Sequence, residues 1–114
     1  FVSNLVDGFI GVINNSDKAI GKVINLGCGE EVKISSLVRM IHKLTSSQSE
    51  LEIGVLDYRP TEIWRMYADN SLALQNLDWT PKINLEDGLN ITIEWYKKYL
   101  EVFEGNKGLL KLNN

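Results

Sequence analysis

Apolar residues recur at the spacing of an α-helix in four parts of the chain. These are about residues 4–13, 35–44, 70–77 and the stretch from residue 84 onward. An apolar stripe along one face is typical of a helix that packs on a core. The pattern therefore predicts about four helices. The positions expected to face the core are Leu5, Val6, Phe9, Ile10 and Ile13 in the first helix, Leu37, Val38, Ile41 and Leu44 in the second, and Leu85, Leu89, Ile93 (or Thr92), Tyr96 and Leu100 in the last.

Polar residues that can cap a helix stand where three of these helices should begin. Asn4 can cap the first helix, Asp69 or Asn70 the third, and Asn84 the last. Their side-chain oxygens can accept hydrogen bonds from the free N–H groups of a first turn. Asp87 follows Asn84 by three residues, where the helix dipole also favours a carboxylate.

Two shorter segments have the pattern of β-strands. Residues 21–26 form a short apolar run bounded by glycine, and residues 51–55 alternate between apolar and other side chains. Gly27 and Gly29 predict a turn after the first strand, because glycine tolerates positive φ and close backbone approach. Helices separate the strands, so the sequence predicts a small α/β fold with a two- or three-stranded, largely parallel sheet.

A few single residues add expectations about packing. Trp79 and Trp95 are predicted to anchor the core, as large aromatic side chains often do. Gly88 lies inside the last helix, where glycine costs about 1 kcal/mol relative to alanine, so another element is expected to pack closely there. Glu30 and Glu31 are predicted to be solvated charges.

Composition and charge narrow the function classes. The 114 residues carry a net charge of −3, with 44% hydrophobic and 24% charged residues, as in an ordinary folded domain. An acidic chain argues against nucleic-acid or membrane-surface binding, which needs a basic face. With Cys28 and His42 the only residues of their types, no internal disulfide and no four-ligand zinc site can be built. A reducing cytoplasm is the expected location.

The run from residue 59 to 69 is the strongest candidate for chemistry. Pro60 fixes its own φ and biases Arg59 toward an extended backbone, so the guanidinium projects from a stiffened loop. Such a group suits bidentate phosphate binding. Glu62 could accept hydrogen bonds from sugar hydroxyls. A surface ion pair of Arg59 with Asp57 or Glu62 is the more ordinary alternative, and no catalytic constellation is found.

Several segments, in order, resemble the extended short-chain dehydrogenase/reductases that epimerise or dehydrate nucleotide sugars. The matching segments are Phe1-Val2-Ser3-Asn4-Leu5-Val6-Asp7-Gly8, Val23-Ile24-Asn25-Leu26-Gly27-Cys28-Gly29, Arg59-Pro60-Thr61-Glu62, Tyr67-Ala68-Asp69-Asn70-Ser71, Leu77-Asp78-Trp79-Thr80-Pro81 and Leu85-Glu86-Asp87-Gly88-Leu89. Each match is short, but their order across nearly the whole chain is specific to that family.

The resemblance implies roles for three residues. Arg59 matches the arginine that contacts the nucleotide diphosphate, and Glu62 matches the acid near the nucleotide ribose. Met66 falls where some 4-epimerases place a residue that limits the sugar pocket. The chain departs from the family at Asn4, usually Asp, and at Thr61 and Asp78, both usually Gly. The two glycine replacements can alter the shapes of their turns.

The resemblance also implies what this chain lacks. The NAD-binding glycine motif and the catalytic Tyr-x-x-x-Lys pair are absent. Residues 1–103 are therefore expected to form a nucleotide-sugar-binding C-terminal lobe without the Rossmann domain, followed by a flexible tail at 104–114. No catalytic residue, metal or bound cofactor is expected in the chain itself. NAD, a nucleotide-diphosphate sugar, the N-terminal Rossmann lobe and a homodimer are implied for the full-length enzyme.

The implied enzyme is an NAD-dependent nucleotide-sugar 4-epimerase or 4,6-dehydratase of polysaccharide precursor synthesis, with this chain inactive alone. The alternative is a stand-alone, non-catalytic module that binds a nucleotide sugar or another protein.

Overall fold

The computed structural model describes the backbone of residues 1–105 and the side chains up to residue 100. Within this part the chain forms five helices: α1 (Val2–Asn14), α2 (Ser16–Ala19), α3 (Ile34–Leu44), α4 (Ser71–Leu77) and α5 (Leu85–Gly105). Four of them are the helices that the apolar pattern predicts, and α2 is an additional short turn of helix. Residues 106–114 of the expected tail lie outside the described residues.

The prediction of an α/β fold is wrong in its strands. Residues 1–105 contain no β-strand, and both segments predicted as strands are irregular or extended. Val23 is 86% exposed, and a turn at Ile53 and Gly54 interrupts the second segment, with Gly54 at φ 88°. A strand needs a neighbour that pairs with its backbone groups, and apolar alternation shows only which face is covered.

The core lies where α1 and α2 meet α4. Its buried residues are Ala73, Leu77 and Trp79, and the half-buried side chains of Val12, Ala19, Ile24 and Leu26 pack against them. Trp79 is therefore confirmed as a core anchor. Trp95 is not, because it lies on the outer part of α5 and is 49% exposed.

Asn4 connects α1 to the segment that follows α4. It is buried, and its Nδ2 donates to the carbonyl of Ile83 at 2.8 Å, while its Oδ1 accepts from the N–H groups of Lys82 and Ile83, both at 3.1 Å. The Asn4 carbonyl accepts from the indole Nε1 of Trp79 at 2.9 Å. The prediction that Asn4 caps α1 is wrong, since α1 begins at Val2 and the amide serves a distant loop.

The start of α5 follows the sequence prediction. Asn84 Oδ1 accepts from the N–H of Asp87 at 2.9 Å, and Asn84 Nδ2 donates to the Asp87 carboxylate at 2.8 Å. The expected close approach at Gly88 is also present, because a Cβ there would lie 3.1 Å from the Cβ of Phe1. The beginning of α1 thus packs directly on the first turns of α5.

Helix α1 turns its small residues inward and its large apolar residues outward. Gly8 is buried against Leu26, and Gly11 lies against Leu77 of α4. The stripe expected to face the core is instead exposed, and it comprises Leu5, Val6, Phe9, Ile10 and Ile13. The predicted helical spacing of α1 is confirmed, but the predicted core-facing side is wrong.

Candidate functional site

Residues 58–64 form an exposed loop that is closed at its base. The N–H of Glu62 donates to the carbonyl of Arg59 at 3.1 Å, which makes a tight turn at the tip. The rings of Tyr58 and Trp64 lie 4.6 Å apart, centre to centre, at an angle of 54°. Such a tilted aromatic pair holds the two ends of the loop together. We call residues 58–64 the Arg59 loop.

The side chain of Arg59 is exposed to solvent. Within residues 1–100 it takes part in no side-chain hydrogen bond and no ion pair, so the alternative of a pair with Asp57 or Glu62 is not observed. An uncommitted guanidinium on a turn can form two parallel hydrogen bonds to a phosphate. The turn places Arg59 and Glu62 at the two ends of one backbone hydrogen bond.

Arg65, in contrast, is committed to a partner on another segment. Its Nε donates to the two carboxylate oxygens of Glu31 at 2.8 and 3.1 Å, and its Nη2 donates to Oε2 at 3.0 Å. These hydrogen bonds from Arg65 lower the pKa of the Glu31 carboxyl, and in turn raise the pKa of the guanidinium. Glu31 is exposed, as predicted, but it holds the residue that follows the Arg59 loop.

A second connection joins the same two segments at Asn70. Asn70 Oδ1 accepts from the N–H of Gly27 at 3.0 Å, and Asn70 Nδ2 donates to the Gly27 carbonyl at 2.6 Å. A Cβ at Gly27 would lie 2.6 Å from the Cβ of Ala68, so glycine is required for this approach. Because its amide is used here, Asn70 places no side-chain cap on α4.

Asp69 serves the start of α4 instead. Its Oδ1 accepts from the N–H of Ser71 at 2.9 Å and also from the Ser71 hydroxyl. The hydroxyl first, and then the N–H, lower the pKa of Asp69. Of the two caps proposed from the sequence, Asp69 is the one whose side chain bonds the first turn.

An open cleft of about 420 Å³ lies beside this start of α4. It is lined by Gly29, Tyr67, Ala68, Asp69, Asn70, Ser71, Leu74, Trp79, Thr80 and Pro81. Met66, the third residue expected at the site, is not among the lining residues and is 80% exposed. The structure therefore places Met66 on the same exposed segment as Arg59 and Glu62 without enclosing it.

The described part of the chain offers neither a metal site nor a membrane span. Residues 1–100 contain no group of three or more His, Cys, Asp or Glu side chains that could hold a metal ion. Among the described helices, none is both long enough and apolar enough to cross a membrane.

The chain is similar to several known proteins, and their names describe nucleotide-sugar enzymes. No family model matches the chain. It is 30% identical over 103 residues to dTDP-D-glucose 4,6-dehydratase of Bos taurus, which covers 86% of this chain and 28% of the relative. It is 32% identical over 111 residues to UDP-glucuronic acid decarboxylase 1 of Xenopus tropicalis, covering 97% of this chain and 25% of the relative.

One solved structure is similar to the whole chain. The crystal structure of the Bordetella bronchiseptica enzyme WbmF in complex with NADH matches with a TM-score of 0.79 and 27% identity, over 100% of this chain and 34% of that one. The chain is therefore similar in sequence and fold to nucleotide-sugar enzymes and to an enzyme solved with NADH. These relatives confirm the resemblance to the extended short-chain dehydrogenase/reductases that the ordered motifs predict. The chain spans about a quarter of the length of the curated relatives.

Proposed function

We propose that residues 1–103 are the C-terminal, substrate-binding lobe of an NAD-dependent nucleotide-sugar 4-epimerase or 4,6-dehydratase. The uncommitted guanidinium of Arg59, on the turn that it shares with Glu62, is the observation that carries this proposal. In this assignment Arg59 binds the diphosphate and Glu62 accepts a hydrogen bond from a ribose hydroxyl. Met66 lies beside the sugar and limits the size of its pocket.

In this proposal the described residues do not bind NAD. The one glycine-rich turn that follows an extended segment is filled by protein, since Ala68 and Asn70 pack on Gly27 and Gly29. A dinucleotide needs that space free for its pyrophosphate. NAD, which supplies hydride transfer when bound, is therefore assigned to a part of the enzyme outside this chain. The residues here bind and orient the substrate.

The outward face of α1 carries an exposed apolar stripe that suits contact with another part of the protein. Phe9 is 65% and Ile13 73% exposed, on a stripe that runs the length of the helix. A contiguous apolar surface of this kind marks an interaction site. We assign it to contact with an N-terminal Rossmann lobe. Assembly of the enzyme as a cytoplasmic homodimer, and a role in making polysaccharide precursors, belong to the same proposal.

Titration of the ¹⁵N-labelled chain with UDP and with dTDP tests the site. We expect weak binding that shifts the amide resonances of the Arg59 loop and is lost in Arg59→Ala. Arg39→Ala is the matched control, because Arg39 is an exposed arginine on α3 that lies outside the site. It removes the same charge and should leave binding unchanged.

Two results would overturn the proposal. One is the absence of any shift at millimolar UDP or dTDP, and the other is equal binding by Arg59→Ala and Arg39→Ala. Turnover of a nucleotide sugar by the chain alone would contradict the assignment of catalysis to another part of the enzyme.

A further inference from the structure

We propose that Glu31 is a positioning residue for nucleotide-diphosphate binding, acting through Arg65 to hold the Arg59 loop in its binding conformation. The inference rests on the proposed function. It gives a role to a residue that is predicted from the sequence to be only a solvated charge. Glu31 lies 28 positions before Arg59 in the sequence, and only the fold brings it to the base of the loop.

The ion pair between Glu31 and Arg65 has a defined geometry. Three hydrogen bonds of 2.8–3.1 Å join the Arg65 guanidinium to both carboxylate oxygens of Glu31. A forked pair of this kind fixes orientation as well as distance, which a single lysine contact does not. Both side chains are solvent-exposed, so the pair adds little to overall stability, but it still selects one arrangement of the segment.

Arg65 is the first residue after the Arg59 loop. It directly follows Trp64, whose ring contacts Tyr58 and closes the Arg59 loop. Fixing Arg65 therefore fixes the exit of the loop, and the aromatic contact passes this constraint to the residue before Arg59. The Arg59 guanidinium, in contrast, forms no side-chain hydrogen bond or ion pair among residues 1–100, so it is available to bind phosphate.

Glu31 follows a turn that is itself bonded to the segment after the Arg59 loop. Gly27, four residues earlier, is bonded in both directions to Asn70, and Ala68 packs directly on it. Residues 27–31 are therefore bonded to the later segment at two points, Arg65 and Asn70. A binding group carried by a short loop is held in one geometry when the supporting segment is tied at two points, and this lowers the ordering cost of binding.

A competing interpretation predicts that removing the Glu31 carboxylate strengthens anion binding instead of weakening it. If the Glu31 carboxylate competes with the ligand for Arg65, its removal would release a second cation and tighten anion binding. Removal of any carboxylate from this acidic chain also favours anions at long range. Glu30→Gln is the matched control for that effect, because Glu30 is the exposed neighbour, it forms no ion pair among residues 1–100, and the charge change is identical.

The experiment compares UDP dissociation constants for the wild-type chain, Glu31→Gln, Glu30→Gln and the charge exchange Glu31→Arg with Arg65→Glu. We expect binding to weaken about two- to five-fold in Glu31→Gln relative to Glu30→Gln, the range set by an exposed ion pair. The exchanged pair should recover most of this loss. Equal affinities of Glu31→Gln and Glu30→Gln, tighter binding by Glu31→Gln, or no recovery in the exchange would each overturn the positioning role.

A second readout does not depend on ligand. In the chain labelled with 5-fluorotryptophan, the ¹⁹F resonance of Trp64, assigned with Trp64→Phe, should shift and broaden in Glu31→Gln and not in Glu30→Gln. An unchanged Trp64 resonance overturns the inference whether or not UDP binds. Failure of the wild-type chain to bind UDP or dTDP, with the resonance shifted as expected, would instead remove the proposed function.

Discussion

Replacing Asn4 by alanine should lower the free energy of unfolding by about 1.5–4.5 kcal/mol. The side chain makes three hydrogen bonds of 2.8–3.1 Å to the backbone of Lys82 and Ile83. Each is worth about 0.5–1.5 kcal/mol net, and alanine would leave two N–H groups and one carbonyl, all in part-buried hydrogen bonds, without their side-chain partner. The loss is large for a small domain, because the substitution removes the side-chain hydrogen bonds between α1 and the loop that joins α4 to α5.

Urea denaturation, followed by circular dichroism, measures this loss. With a slope of about 1.5 kcal/mol per M, the midpoint should fall by about 1–3 M. A stabilising osmolyte keeps a folded baseline for the weaker variant. Asn14→Ala is the control, because Asn14 is an exposed amide on the same helix, and its effect should stay within about 0.5 kcal/mol. Equal midpoints for the two variants would refute the reasoning.

Three further perturbations have defined outcomes. Asp78 ends α4 in the left-handed region at φ 51°. Asp78→Gly should therefore raise the free energy of unfolding by up to about 1 kcal/mol, seen as a higher thermal midpoint. A lower midpoint would contradict this. Gly27→Ala should destabilise the chain by about 1–3 kcal/mol, because the new Cβ would meet that of Ala68 at 2.6 Å; unchanged urea stability would show that the turn yields. Ser71→Ala should raise the pKa of Asp69 toward its ordinary value in a carboxyl ¹³C titration.

The last of these has a consequence for acid stability. Because the folded-state pKa of Asp69 is lowered, its contribution is fully present above the ordinary aspartate pKa and is lost as the pH falls through the folded value. Ser71→Ala should therefore flatten the acid side of the stability profile. A profile that is the same for both proteins would show that the Ser71 hydroxyl does not act on Asp69.

Local chemistry was predictable from the sequence, and distant partnerships were not. Asn84 and Asp87 cap α5 as predicted because the two residues are three positions apart and their bonds depend only on the helix start. Asn4 looks equally suited to capping, yet its amide bonds to a residue 79 positions away. Nothing in the sequence around Asn4 distinguishes these two uses of an asparagine.

The strands and part of the candidate site show the same limit. Residues 21–26 have an apolar strand pattern, but a pattern cannot supply the neighbouring backbone that makes a strand. The spacing of Arg59 and Glu62 indicates a turn, which the structure contains. Which arginine is free and which is paired depends on Glu31, and this carboxylate is 34 positions from Arg65.

Because α1 turns glycines inward and its large apolar side chains outward, different faces of one helix govern solubility and folding. A polar substitution on the outer stripe, such as Ile13→Gln, should reduce aggregation of the chain without lowering its thermal midpoint. A substitution at Gly8 would act in the opposite way, because its Cβ would fall 2.5 Å from a methyl group of Leu26. A mutational scan scored by expression level alone would therefore count the residues of the outer stripe as dispensable.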